Sequence, residues 1–174
     1  MGVEAIIETE NGEWVGHGSK AVANLLEGLA RYCDLRNRED VSHSDDREIL
    51  HWFSVVADKM SQDVCRLSAI IYWGEMNYTV DEYERYQVET GNSSGPVMTK
   101  AEFATYCLDL DAKWTDLHLL HRTVNDLIRT LETLNPPDTF WYEREASLDS
   151  LHDLSRTLIV ALADGHTRAR FPLF

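Results

Sequence analysis

Basic residues are scarce in this sequence: 16 Lys and Arg stand against 30 Asp and Glu, for a formal charge of -14. That balance disfavours unaided contact with nucleic-acid backbones and anionic membrane surfaces, and leaves a basic or neutral partner easier to accommodate. The acidic residues are spread along the chain and form no acidic tail. Only four of the basic residues are Lys (Lys20, Lys59, Lys100 and Lys113), a bias that points to no mechanism. Long apolar runs are also missing, so no segment reads as a membrane span, and the N-terminus lacks the basic region and apolar stretch of a signal peptide. Cysteine is limited to Cys33, Cys65 and Cys107, each inside a segment that reads as helix. An odd, widely separated set reads as unpaired thiols in a reducing compartment, and the expected location is the cytoplasm.

Catalytic signatures are equally thin. There is no GxSxG elbow, no GxxxxGK[ST] or GxGxxG after a strand, no HExxH, and no Cys beside a sequence-local activating His. The paired ExxE and ExxD patterns of helical nucleotide pyrophosphohydrolases are absent in matching positions. Gly16-His17-Gly18-Ser19 reads as a turn with a helix cap rather than as an anion cradle.

What is present is a globular composition, 44% hydrophobic and 26% charged over 174 residues, enough for one domain spanning 1-174 with its own core. Residues 1-17 read as a β-hairpin, with Val3 to Glu8 and Glu13 to Val15 flanking an Asn11-Gly12 turn. Ser19 is placed to cap a helix over 20-33 whose inner face is Val22, Leu25, Leu26, Leu29 and Cys33. Ser44 is the next cap, opening a long helix whose apolar stripe runs from Ile49, Trp52 and Phe53 through Ile70 and Ile71 to Gly74, about 45 Å at 1.5 Å per residue.

Thr79 with Glu82 forms a capping box for a short helix ended by Gly91, and 91-96 is a loop. Thr99 with Glu102 opens a fourth helix to Leu134, with a near-heptad of Phe103, Cys107, Leu110, Trp114, Leu117, Val124, Ile128 and Leu131 in which His121 fills one slot. After the Pro136-Pro137 turn, a last helix from Asp138 or Thr139 to Asp164 packs antiparallel to it and stops at Gly165. Residues 166-174 form a tail whose aromatic residues and two Arg belong against the rest of the chain. The expected fold is mainly α: a bundle of about five helices, three of them long, with an N-terminal β-hairpin.

The candidate site residues are His118 and His121, three apart on one helix, where two imidazoles share a face and bind a transition metal if other helices add ligands. His51, His152, Asp63 and Asp111 are nominal further donors, and the competing reading is a hydrogen-bonded seam histidine beside a surface one. Asp58, Asp109, Asp116, Asp149 and Asp153 read as solvated faces, while Trp52, Phe53, Tyr142 and the other aromatics read as core. Together these residues lead to a non-enzymatic cytoplasmic protein-interaction protein of inhibitor, immunity or adaptor type, with a protein partner or self-association and neither nucleic acid nor membrane. The alternatives are a metal- or small-molecule-binding bundle enzyme around His118 and His121, of unknown cofactor, and an acidic DNA mimic.

Overall fold

The computed structural model describes residues 5-11, 14-18, 20-69, 71-73, 101-102, 105, 113-134 and 142-173. The expected short helix at 79-91, the loop at 91-96, the Ser19 cap, Cys107 and the Pro136-Pro137 turn lie outside them. The chain is mainly α with an N-terminal hairpin, as its periodicities predict. Strands β1 (Ala5–Thr9) and β2 (Trp14–Gly18) pair antiparallel around Asn11, with a bulge between Ile7 and Glu8. Helices α1 (Lys20–Leu35), α2 (Ser44–Lys59) and the short α3 (Cys65–Ala69) follow. Strand β3 (Ile71–Trp73), strand β4 (Thr115–Asp116), helix α4 (Leu117–Thr133), helix α5 (Arg144–Ala163) and strand β5 (Arg168–Leu173) complete the order.

The core forms where the apolar faces of the helices meet. Leu25, Leu26 and Leu29 of α1, Phe53 and Val56 of α2, Val124, Leu127 and Leu131 of α4, and Leu151 and Leu158 of α5 belong to one buried cluster. Trp52 stacks near Tyr142 at 4.5 Å and meets Phe53 edge-on at 4.6 Å, so these three aromatics belong to the core. Ion pairing supports the packing: the Asp46 carboxylate, buried on α2, accepts from Arg31 Nε of α1 at 2.7 Å. Helix α5 ends in a Schellman motif, in which Gly165 at φ 87 lets its own N–H reach the Leu162 carbonyl and the His166 N–H reach that of Ala161.

Several boundaries differ from the sequence reading. The stripe from 45 to 74 is not one helix. It breaks after Lys59, where Met60 turns extended (φ -79, ψ 143), and resumes as α3 and then β3. The break is held from outside: Asp126 Oδ2, on α4, accepts from the Ser61 N–H at 2.8 Å, the Ser61 hydroxyl at 3.0 Å and the Gln62 N–H at 2.8 Å. Val64 and Leu67 beyond the break are still buried, so the apolar pattern continues while the helix does not. Ser44 is the first helical residue of α2 rather than its cap; its hydroxyl donates to Asp45, and the N-cap position belongs to His43.

The fourth expected helix, ending at Leu134, is also interrupted. Lys113 lies in a turn, Thr115 and Asp116 pair with β5, and the Asp116 side chain caps α4 by accepting from the Leu119 N–H at 2.8 Å. Residues 168-173 are not a tail packed onto a bundle but the central strand of a five-stranded sheet of order β2-β1-β5-β3. Strand β1 lies antiparallel along one edge of β5, while β4 and the parallel β3 share the other. Finally, the reading of three unpaired cysteines is corrected: Cys33 at the end of α1 and Cys65 at the start of α3 form a disulfide across a 32-residue separation.

Candidate functional site

Helices α4 and α5 pack antiparallel, with Glu132 of α4 beside His152 of α5 and His121 beside Ser155. Leu120, Val124, Leu127 and Leu131 turn one face of α4 into the core, which leaves His118, Arg122, Arg129 and Glu132 on the outer face. The two candidate histidines therefore part company. His118 is exposed, whereas His121 is half-buried at the seam with α5.

His121 is held in a three-membered polar cluster. Its Nε2 lies 2.9 Å from Asn125 Nδ2 and 3.2 Å from Ser155 Oγ, and the Ser155 hydroxyl donates to Asn125 Oδ1 at 3.0 Å. The Asn125 amide donates to an unprotonated Nε2, which places the imidazole proton on Nδ1, while the Ser155 oxygen, its proton given to Asn125, is a neighbour of the ring and not a donor to it. Burial, and then the neighbouring His118, hold the His121 pKa below the ordinary histidine value. The Nε2 lone pair that a metal ion needs is thus engaged. His152, the other nearby imidazole, lies 3.4 Å from Glu132. Among the described residues no group of three or more His, Cys, Asp or Glu is placed to hold a metal ion. Of the nominal donors, Asp63 accepts from the Cys65 N–H at 3.0 Å and lies near Arg36, His51 is exposed on α2, and Asp111 lies outside the described residues.

A serine beside a histidine raises the question of nucleophilic catalysis. Ser155 sits in the middle of α5, where backbone N–H groups are tied into the helix ladder and none converges on a tetrahedral oxyanion. The Asn125 amide donates to His121, and the cluster links the two helices.

The surface around the cluster is an open groove of about 500 Å³ between α4 and α5, walled by His121, Arg122, Asn125, Arg129, Glu132 and His152. Beyond it, Ile159 and Val160 of α5 are 51% and 57% exposed. Ile159 follows His152 by seven residues, two helical turns, and so lies on the same side of α5 as the groove. The sequence reading found His121 and His118 but not the groove, whose residues come from two helices and carry no local motif. Comparison with protein families, characterised proteins and solved structures finds no match for the chain.

Proposed function

We propose that this chain is a non-enzymatic protein-interaction protein of inhibitor, immunity or adaptor type, which uses the outer face of α5 as its docking surface. The observation that carries the reading is the adjacent pair Ile159 and Val160, two large aliphatic side chains left more than half exposed beside a polar groove. An apolar centre with a charged rim is the usual anatomy of a protein contact. The half-buried His121–Asn125–Ser155 cluster, whose polar atoms are engaged with one another, supports binding over catalysis, and the charge of -14 supports a protein partner over nucleic acid. Among the described residues no helix is long and apolar enough to cross a membrane.

The expected cytoplasmic location turns on Cys33 and Cys65. A permanent bond between them favours an oxidising compartment, and trapping of free thiols in intact cells decides between the two. The docking surface is tested by a photo-crosslinking residue at position 159 or 160, with position 39 on the exposed connector as the control. A defined protein adduct from 159 and 160, absent from 39 and abolished by Val160→Asp beside the crosslinker at 159, is expected. Adducts no different from those of the control contradict the proposal.

A further inference from the structure

We infer that the α4–α5 groove is a binding site for a compact organic dianion, one carrying two phosphate or carboxylate groups about 10 Å apart. The inference is independent of protein docking at Ile159 and Val160. In a chain with almost twice as many acids as bases, the groove reverses the balance: Arg122 and Arg129 line it against the single carboxylate of Glu132. The two arginines are seven residues apart on α4, which places their Cα atoms about 10.5 Å apart along one side of the helix at 1.5 Å per residue. A guanidinium presents a planar fork of donors that matches phosphate or carboxylate in two-point contact.

The guanidinium groups are available for this. Arg122 forms no side-chain hydrogen bond or ion pair among the described residues. Arg129 is oriented by a single bond from its Nε to the Asn125 carbonyl at 3.3 Å, which leaves its two terminal nitrogens for a ligand. Ile128, between them in the lining, gives the wall an apolar element against which a carbon skeleton can lie. A space of about 500 Å³ is that of a small-molecule site. Polyanions are a poor match, because a nucleic acid or an anionic membrane extends beyond the groove over a surface that repels it. A short dianion stays within a screening length, about 8 Å at physiological ionic strength, of one arginine or the other.

The test is isothermal titration of the whole protein with three probes: a hexose 1,6-bisphosphate, a nine-carbon α,ω-dicarboxylate and inorganic phosphate, with amide chemical shifts followed in parallel. Saturable binding of one of the two dianions, at least about tenfold tighter than inorganic phosphate and with shifts centred on 121-132, is expected; which dianion binds distinguishes phosphate from carboxylate recognition. Arg122→Ala and Arg129→Ala should each weaken that binding at least about tenfold, and Glu132→Gln should strengthen it. All three side chains are exposed, so the variants are expected to fold, and circular dichroism checks that they do. Absence of saturation at millimolar dianion, binding no tighter than that of inorganic phosphate, or affinity unchanged in the double arginine variant overturns the inference.

Discussion

Glu8 and Arg170 are direct partners across the antiparallel pair β1 and β5, and their side chains, 7% and 10% exposed, meet at 2.7 Å. The Arg170 guanidinium also lies 4.3 Å from the Trp114 ring centroid, so one buried cation joins the N-terminal hairpin, the C-terminal strand and the segment that leads into α4. Removing one member breaks the ion pair in a nearly dry setting. Glu8→Ala is expected to cost about 3–5 kcal/mol in urea denaturation, and a Glu8→Leu, Arg170→Met double replacement to recover most of that loss. A single-mutant cost below about 1 kcal/mol shows that water reaches the pair.

Asp126 is the tertiary cap of the α2–α3 break. Its carboxylate is buried and accepts two backbone N–H groups and one hydroxyl from Ser61 and Gln62. Asp126→Ala leaves those donors without an acceptor and is expected to destabilise the fold by about 1–3 kcal/mol. Hydrogen exchange at Ser61 and Gln62, accelerated beyond the global loss, checks the assignment.

How far the sequence revealed this fold depends on where each element finds its partners. The inner faces of α1 and α4 and the stop of α5 at Gly165 were legible, because helical periodicity and caps are local. The turn at Ser61 was not, since its cap is a carboxylate 65 residues away and the buried stripe continues through Val64 and Leu67. Strand β5 was hidden by its own composition: two Arg and a Pro argue against a central strand, and the structure accommodates them by pairing Arg170 with Glu8 and setting Arg168 near Trp114. The disulfide was obscured by an odd cysteine count, which carries no information on which thiols approach one another.

The Cys33–Cys65 bond closes a loop that contains all of α2, restricting the unfolded chain. On the loop-entropy relation a span of this length contributes about 3–4 kcal/mol. Denaturation with and without reductant, together with Cys33→Ser, measures it. Equal midpoints under both conditions show that the bond adds nothing to stability.

Glu10 should contribute to the acid limb of stability. Desolvation pushes its pKa up, but bonds from the Thr167 backbone and hydroxyl and from the Arg168 N–H bring it down from 4.5 to about 2. A depressed carboxylate stabilises the fold above its unfolded pKa, and that contribution is lost as pH falls from 4.5 through about 2. Glu10→Gln should lower stability by a constant amount above pH 6 and flatten the profile across that window.

The engaged Nε2 of His121 carries the argument against a metal site at His118 and His121, and the ¹⁵N shifts of its imidazole read that state directly. A neutral ring with the proton on Nδ1 at pH 7, an apparent pKa below 6.5 and no response to added zinc are the predicted results. With that lowered pKa, stability from the neutral ring is present above 6.5 and lost as pH falls through the folded value. A protonated ring at pH 7 or a proton on Nε2 would contradict the hydrogen-bonded arrangement of His121, and a shift on adding stoichiometric zinc that His118→Ala removes would return the site to metal chemistry.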